Sequence, residues 1–269
     1  MRPENKIIHT VWIGDRLSLL ERLTIVLFQS HGHEVHLWSY RPLQNVPSET
    51  ISRDASEVLP ESSLFRFEGL PLKGIPAGGI GSLSHWSDQF QMKLLHQYGG
   101  IYSQLDIASF APLDFTTPYV FAPHTDRTIA PVVMKCPKGS EFAQACYARL
   151  SAAINAQTIR DLDWNCSMRL IKEVAREFGV DRDEHILSDR IYLDLGCRKK
   201  GPFYDGKSPR AGVEIIHWSN ATNRRFKDDP IPGSYYEALL RKAGLVPKTE
   251  PVLRAFRRRV NYLFSSRVR

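Results

Sequence analysis

The stretch GGIYSQLDIASFAPLDF, residues 99–115, reads as a strand that ends by pushing polar side chains out of an apolar sheet. A divalent-cation site at such a place calls for two carboxylates one residue apart, because hard cations prefer carboxylate oxygens. This chain has Gln104 and Asp106 there. Gln104 keeps its hydrogen-bonding capacity but gives up a negative charge, so it attracts an ion less than an aspartate would. His217 ends a second apolar run, IIHWSN, and imidazole suits Mn²⁺ and other transition metals, although a histidine at a strand end is as readily a satisfied structural group. Asp88 falls near the start of a helix-patterned segment, where a carboxylate also stabilises the helix dipole. Trp12 follows an early apolar run, where an aromatic is either core or a stacking platform. No Ser-His-Asp order, HExxH helix or pair of glycosidase carboxylates can be assigned from local motifs.

These residues need elements to hold them. KIIHTVWIG is a β-branched apolar run ending in glycine, RLSLLERLTIVLFQSHG has helical spacing with Gly32 as its stop, and EVHLWSY reads as a second strand, which together make a β-α-β unit. The unit lacks the G-x-G-x-x-G turn, which argues against a nicotinamide or flavin enzyme. Residues 41–65, rich in Pro, Ser and charge, read as loops or short helices. LKGIPAGGIGS does not match the phosphate loop G-x-x-x-x-G-K-[ST] and reads as a flexible loop. In SLSHWSDQFQMKLLHQYGG, Trp86, Phe90, Leu94 and Tyr98 recur every four residues, Ser84 is the expected cap, and Gly99 and Gly100 end the helix. The strand IYSQLDI follows after almost no loop, which puts Ser87 and Asp88 near the helix start and Gln104 and Asp106 at a strand's far end. Further strands are expected at YVFAP, PVVMKC and GVEIIHWS, and helices at 139–155, 165–178 and 233–243. The alternation predicts an α/β fold, a mainly parallel sheet flanked by helices on both faces.

The bulk composition narrows the class. At 269 residues and 42% hydrophobic, the chain is long and apolar enough for one large domain with a substantial core. No run of about 18 apolar residues exists, and the start lacks a secretory pattern, so a cytoplasmic protein is expected. Cys136, Cys146, Cys166 and Cys197 show neither C-x-x-C spacing nor a zinc-finger histidine, which predicts reduced thiols. Six arginines and no acid lie in the last eighteen residues, so nearly all of the net charge of +7 belongs to the tail. That distribution argues against a nucleic-acid-binding face. On a helical wheel Val252, Leu253, Phe256, Val260, Leu263 and Phe264 share one side and Arg254, Arg257, Arg258 and Arg259 the other, the pattern of a basic helix lying on an anionic membrane surface. The expected division is a domain over 1–247 and a basic amphipathic tail over 248–269.

Four blocks in order, IIHTVWIG, HWSDQFQMKLLHQYGGIYSQLDI, VVMKCPKGS and IIHWSNATNR…PGSYYEALL, resemble the bacterial sugar transferases of glycosyltransferase family 32, from about residue 5 to 245. The resemblance implies a GT-A fold with a Rossmann-like sheet, similar to the catalytic core of the clostridial glucosylating toxins. It implies a retaining enzyme that moves a hexose from a nucleotide sugar, usually a UDP-sugar, to a capsule, lipopolysaccharide or other glycan acceptor, with Mn²⁺ or Mg²⁺ as cofactor. The family fingerprint is S-D-x-x-R followed by G-G-x-Y-x-D-x-D. This chain has Ser87, Asp88 and Gln91, then Gly99, Gly100, Tyr102, Gln104 and Asp106, so it departs at Gln91 and Gln104. By the resemblance Asp106 and His217 hold the metal, Asp106 serves catalysis, and Trp12, Ser87, Asp88, Gln91, Tyr102, Gln104 and Asn220 bind the donor. Gln91 removes a cation that would face the donor. A lipid-linked glycan acceptor suits a peripheral protein on the cytoplasmic face of the inner membrane. Two rival readings are a catalytically silent relative that binds nucleotide sugar or a protein partner, and a toxin-like protein glycosyltransferase.

Overall fold

Strand β1 (Ile7–Val11) pairs in parallel with β2 (Glu34–Ser39), and the connection between them is helix α1 (Leu19–Ser30). Local chemistry starts that helix. Ser18 caps it by accepting from Leu20 N, and the Glu21 carboxylate reaches back to Ser18 N at 2.7 Å, a reciprocal capping box. Gly32, at φ +82°, turns the chain out of the helix as expected. The computed structural model describes residues 1–68, 81–125, 128–156, 163–193, 202 and 204–246. The glycine-rich loop read at 72–82 therefore lies almost wholly outside the described residues, as do Cys197 and the basic tail.

The main sheet has six strands in the order β3-β2-β1-β4-β7-β6, with β3 at Ile51–Asp54, β4 at Gly100–Ser103, β6 at Val120–Thr125 and β7 at Thr128–Cys136. Only β7 runs against the rest. A second, three-stranded sheet orders β5 (Ile107–Ser109), β9 (Ile215–His217) and β8 (Ile191–Leu193). Alternate residues of each main-sheet strand enter opposite layers. Trp38, Tyr102, Phe121 and Met134 join the core formed with helices α2 (Ser84–Tyr98), α3 (Glu141–Ala156) and α4 (Cys166–Glu177). Ile8, Leu37, Ile101 and Val133 face the other layer, built with α1 and the small sheet, and helix α5 (Tyr235–Lys242) packs against α1. The expected α/β architecture, a mainly parallel sheet with helices on both faces, is present.

Three local expectations change. IYSQLDI is not one strand: β4 stops at Ser103, the chain crosses to the small sheet, and β5 starts at Ile107. Ser84 is the first residue inside α2 rather than its cap; the cap position is Leu83, with no side-chain bond, and Ser82 Oγ takes the Ser84 N–H at 3.1 Å. The span 41–65 does contain short helical turns, but it also carries β3, an exposed edge strand whose ISRD sequence has no apolar alternation to announce it.

Candidate functional site

Leaving β1, the chain passes through α1 to β2 on one side of it, whereas β4, on the other side, is entered from α2. The sheet order therefore reverses between β1 and β4. In open α/β sheets, ligands bind outside the carboxyl ends of the strands at such a reversal. Trp12 leaves the end of β1 there, and Gln104 leaves the end of β4.

The crossing from β4 to β5 is tied down from both sides. Thr24 of α1 puts its hydroxyl 2.6 Å from the Ile107 carbonyl oxygen and 2.9 Å from that of Leu105, so the residues on either side of Asp106 are held to the helix. Opposite, β5 and β9 are antiparallel with Ile107 facing His217, and Trp218 N donates to the Asp106 carbonyl at 2.8 Å. This register brings residues 111 positions apart in sequence into one node. Asp106 Oδ2 accepts from Asn220 N at 2.8 Å and lies 3.3 Å from His217 Nε2. The backbone turns into Asn220 through Ser219, a non-glycine residue at φ +50°.

Asp106 is 8% exposed. Burial works to raise its pKa, but the charge and hydrogen bond of His217 and the Asn220 N–H outweigh it, and the carboxyl is held below its ordinary value. It is therefore an anion at neutral pH. Among the described residues its buried Oδ1 has no hydrogen-bond partner, and neither has the buried Oδ1 of Asn220. His124 on β6, which the sequence did not single out, lies close enough for its charge to oppose that of His217, and burial and that repulsion lower its pKa.

The second node is built on α2. Asp88 is buried without a cation, and burial raises its carboxyl to about 7 against the pull of a hydrogen bond from Ser167. Ser167, from α4, also stands 2.9 Å from His85 Nδ1. The buried Nε2 of the same ring has no hydrogen-bond partner among the described residues. Gln91, one turn beyond Asp88, is 1% exposed, and neither of its amide atoms has a partner among the described residues. Tyr102 lies between the nodes in charge terms: burial, and the carboxylates of Asp88 and then Asp106, all raise its phenol.

The remaining predicted positions have partners of their own. Ser87 spends its hydroxyl on Ser84 O, 2.7 Å away in its own helix. Gln104 is half-buried and donates its backbone N–H to Val132 O. Trp12 is half-buried, its Nε1–H is bonded to Arg16 O, and the Lys227 ammonium sits 4.8 Å over its ring, held there by an ion pair with Glu21. Lys93 faces the Tyr147 ring of α3 at 5.4 Å, on a different face from Gln91.

No group of three His, Cys, Asp or Glu side chains converges as a metal cage among the described residues. What the node holds is one buried carboxylate with an oxygen left unpartnered among the described residues, an imidazole 3.3 Å from its other oxygen, and Asn220, bonded to it through the backbone N–H and with its own side-chain oxygen unpartnered. That set fits a hard cation that shares its coordination with water and a ligand's oxygens, as Mg²⁺ commonly does with phosphates. A cleft of about 430 Å³ lies elsewhere, at the amino-terminal ends of β1 and β4, where Ile7, His9 and Gly100 line it.

No family model matches the chain, and no curated protein matches it in sequence. Among solved structures, one named "PaToxG Glycosyltransferase" is similar with a TM-score of 0.45 and 11% sequence identity, over 95% of this chain and 83% of that one. A likeness of that degree assigns no chemistry, so the reading of the site rests on its own residues.

Proposed function

We propose that this protein is a glycosyltransferase that moves a hexose from a UDP-sugar to a hydroxyl of a cell-envelope glycan, with retention and with Mn²⁺ or Mg²⁺ held through Asp106. The observation that carries the reading is the buried, ionised Asp106 with an unspent oxygen, placed beside His217 and Asn220 at the reversal point of the sheet. When bound, the cation neutralises the negative charge that develops on the departing diphosphate.

The chain's own residues divide the remaining work. Asp106 Oδ1 and Asn220 Oδ1 offer the two unused oxygens to the cation and its water, while Asn220 N and His217 fix the orientation of the carboxylate. His217, 3.3 Å from Asp106 Oδ2, would serve as a further ligand to the cation. Gln104 holds ribose or metal-bound water by hydrogen bonds. Trp12 stacks on the base at the end of β1. Asp88 meets the sugar hydroxyls, and near neutral pH it can donate as well as accept. Gln91, Ser87 and Tyr102 complete the donor side. No nucleophile is assigned, which accords with attack by the acceptor from the side the diphosphate leaves. The basic tail, outside the described residues, would hold the enzyme on an anionic membrane beside a lipid-linked acceptor, and no helix among the described residues is long and apolar enough to cross that membrane.

A hydrolysis screen of UDP-sugars with Mn²⁺ tests the reading. Wild type is expected to release UDP from at least one donor, and Asp106→Asn to release it at least tenfold more slowly, roughly the loss of one charged contact. Equal rates for the two proteins would refute the metal assignment. A second reading, a silent nucleotide-sugar binder, is favoured by the uncharged Gln91 and Gln104 together with the lack of a three-donor cage. Saturable UDP-sugar binding with no release under Mn²⁺ or Mg²⁺ would select it.

A further inference from the structure

Strand β7 is buried along all nine residues and carries one charge, Lys135, at 3% exposure. Its ammonium has three protons and spends one, on Phe115 O at 3.1 Å. It makes no ion pair among the described residues. The neighbouring carboxylate of Asp114 is already engaged by Arg2 N at 2.9 Å and Asn5 Nδ2 at 2.8 Å. A buried cation with unspent donors is costly to the fold unless something completes it.

Lys135 lines the 430 Å³ cleft at the amino-terminal ends of β1 and β4, a volume in the usual range for a small-molecule site. His9 lines it too. Its Nδ1 accepts from Trp38 Nε1 at 3.2 Å, which leaves the ring proton on Nε2, and the Cδ2 edge of the ring faces Gly100 at the cleft wall. Lys138, exposed and without an ion pair among the described residues, stands at the rim. Against these donors the lining holds one acid, Glu4. The wall can pass this close because Gly99 and Gly100 have positive φ and no side chain; a Cβ on Gly99 would fall 2.4 Å from Lys138 N.

We propose that this cleft is a second ligand site, separate from the Asp106 node, and that it takes a small oxyanion, a phosphate monoester or a carboxylate, on Lys135, His9 and Lys138. The anion offers acceptors to the ammonium, which spends one of its three protons among the described residues, and to the imidazole N–H, and an apolar lining that includes Pro3, Ile7 and Pro118 accepts the rest of the molecule.

Thermal unfolding of the full chain in metal-free buffer tests this, with inorganic phosphate and acetate as probes against chloride at matched ionic strength. One or both oxyanions are expected to raise the midpoint saturably; a larger effect of phosphate identifies a phosphoryl ligand and of acetate a carboxylate. Lys135→Met, which fills an apolar strand with an apolar side chain, is expected to fold and to weaken binding roughly tenfold or more. Lys138→Gln, at the surface, weakens it less and carries the test if the Met variant does not fold, whereas Asp106→Asn keeps the shift. The proposal is overturned if phosphate, acetate and chloride shift the wild type equally, if both lysine variants respond as wild type does, or if Asp106→Asn abolishes the response.

Discussion

At Asp106 one oxygen is committed to the fold and the other is not, so two substitutions separate structure from function. In Asp106→Asn an amide oxygen can still accept from Asn220 N, and the protein should lose about 1 kcal/mol or less, while donor turnover falls. In Asp106→Ala both Asn220 N and His217 lose their partner, and urea unfolding should show a loss of about 1–3 kcal/mol. Asp88 gives a pH-dependent counterpart. Its carboxyl titrates at about 7 in the fold and near 3.8 when unfolded, so between these values the native state holds the more protons and stability falls as the pH rises. Asp88→Asn cannot ionise. It should lie within about 1 kcal/mol of wild type near pH 4 and exceed it at pH 8 by roughly 4 kcal/mol, measured by urea unfolding at both values. A constant difference across that range would contradict the assignment. Much of this scale was legible in the sequence, because Asp106 and His217 stand at the ends of apolar runs where a sheet exposes its side chains. Thr24 and Ser167 were not legible, since a hydroxyl among apolar helix positions carries no sign of what lies across from it, and His124 meets His217 only through the sheet pairing.

At the scale of elements, the site depends on where one apparent strand breaks. The alternation in IYSQLDI continues through the crossing, so periodicity cannot tell a strand that stays in its sheet from one that changes sheets. What enforces the break is the pair of clamps, Thr24 on one side and β9 on the other. Thr24→Val keeps the shape and removes the hydroxyl, leaving two carbonyls without that partner. It should cost about 1–2 kcal/mol and reduce turnover more than an equally destabilising change far from residues 104–107, measured by unfolding and donor hydrolysis together. The α2–β4 junction tests a different constraint. Gly99→Ala meets the Lys138 backbone at a positive φ, and should lower stability by about 2 kcal/mol or more in the same unfolding measurement. The glycine pair was recognisable in the sequence as a helix stop, but the close approach of residue 138 was not, because it comes from a turn 39 residues away.

At the scale of the molecule, an order of strands that reverses between β1 and β4 collects Trp12, Gln104, Asp106 and the His217–Asn220 turn at one edge. The layers themselves were readable from alternating strand and helix patterns; which strands neighbour each other was not, because β4 lies beside β1 through a long-range pairing that no local pattern encodes. The proposed function requires Asp106 to anchor a cation that receives a nucleotide's diphosphate. Calorimetric titration of UDP into wild type and Asp106→Asn, each with Mn²⁺ and with EDTA, tests this most directly. Mn²⁺ is expected to tighten UDP binding by roughly tenfold or more in wild type and to have little effect in the variant. Affinities that are the same in all four titrations, or a Mn²⁺ effect retained in full by Asp106→Asn, would contradict it.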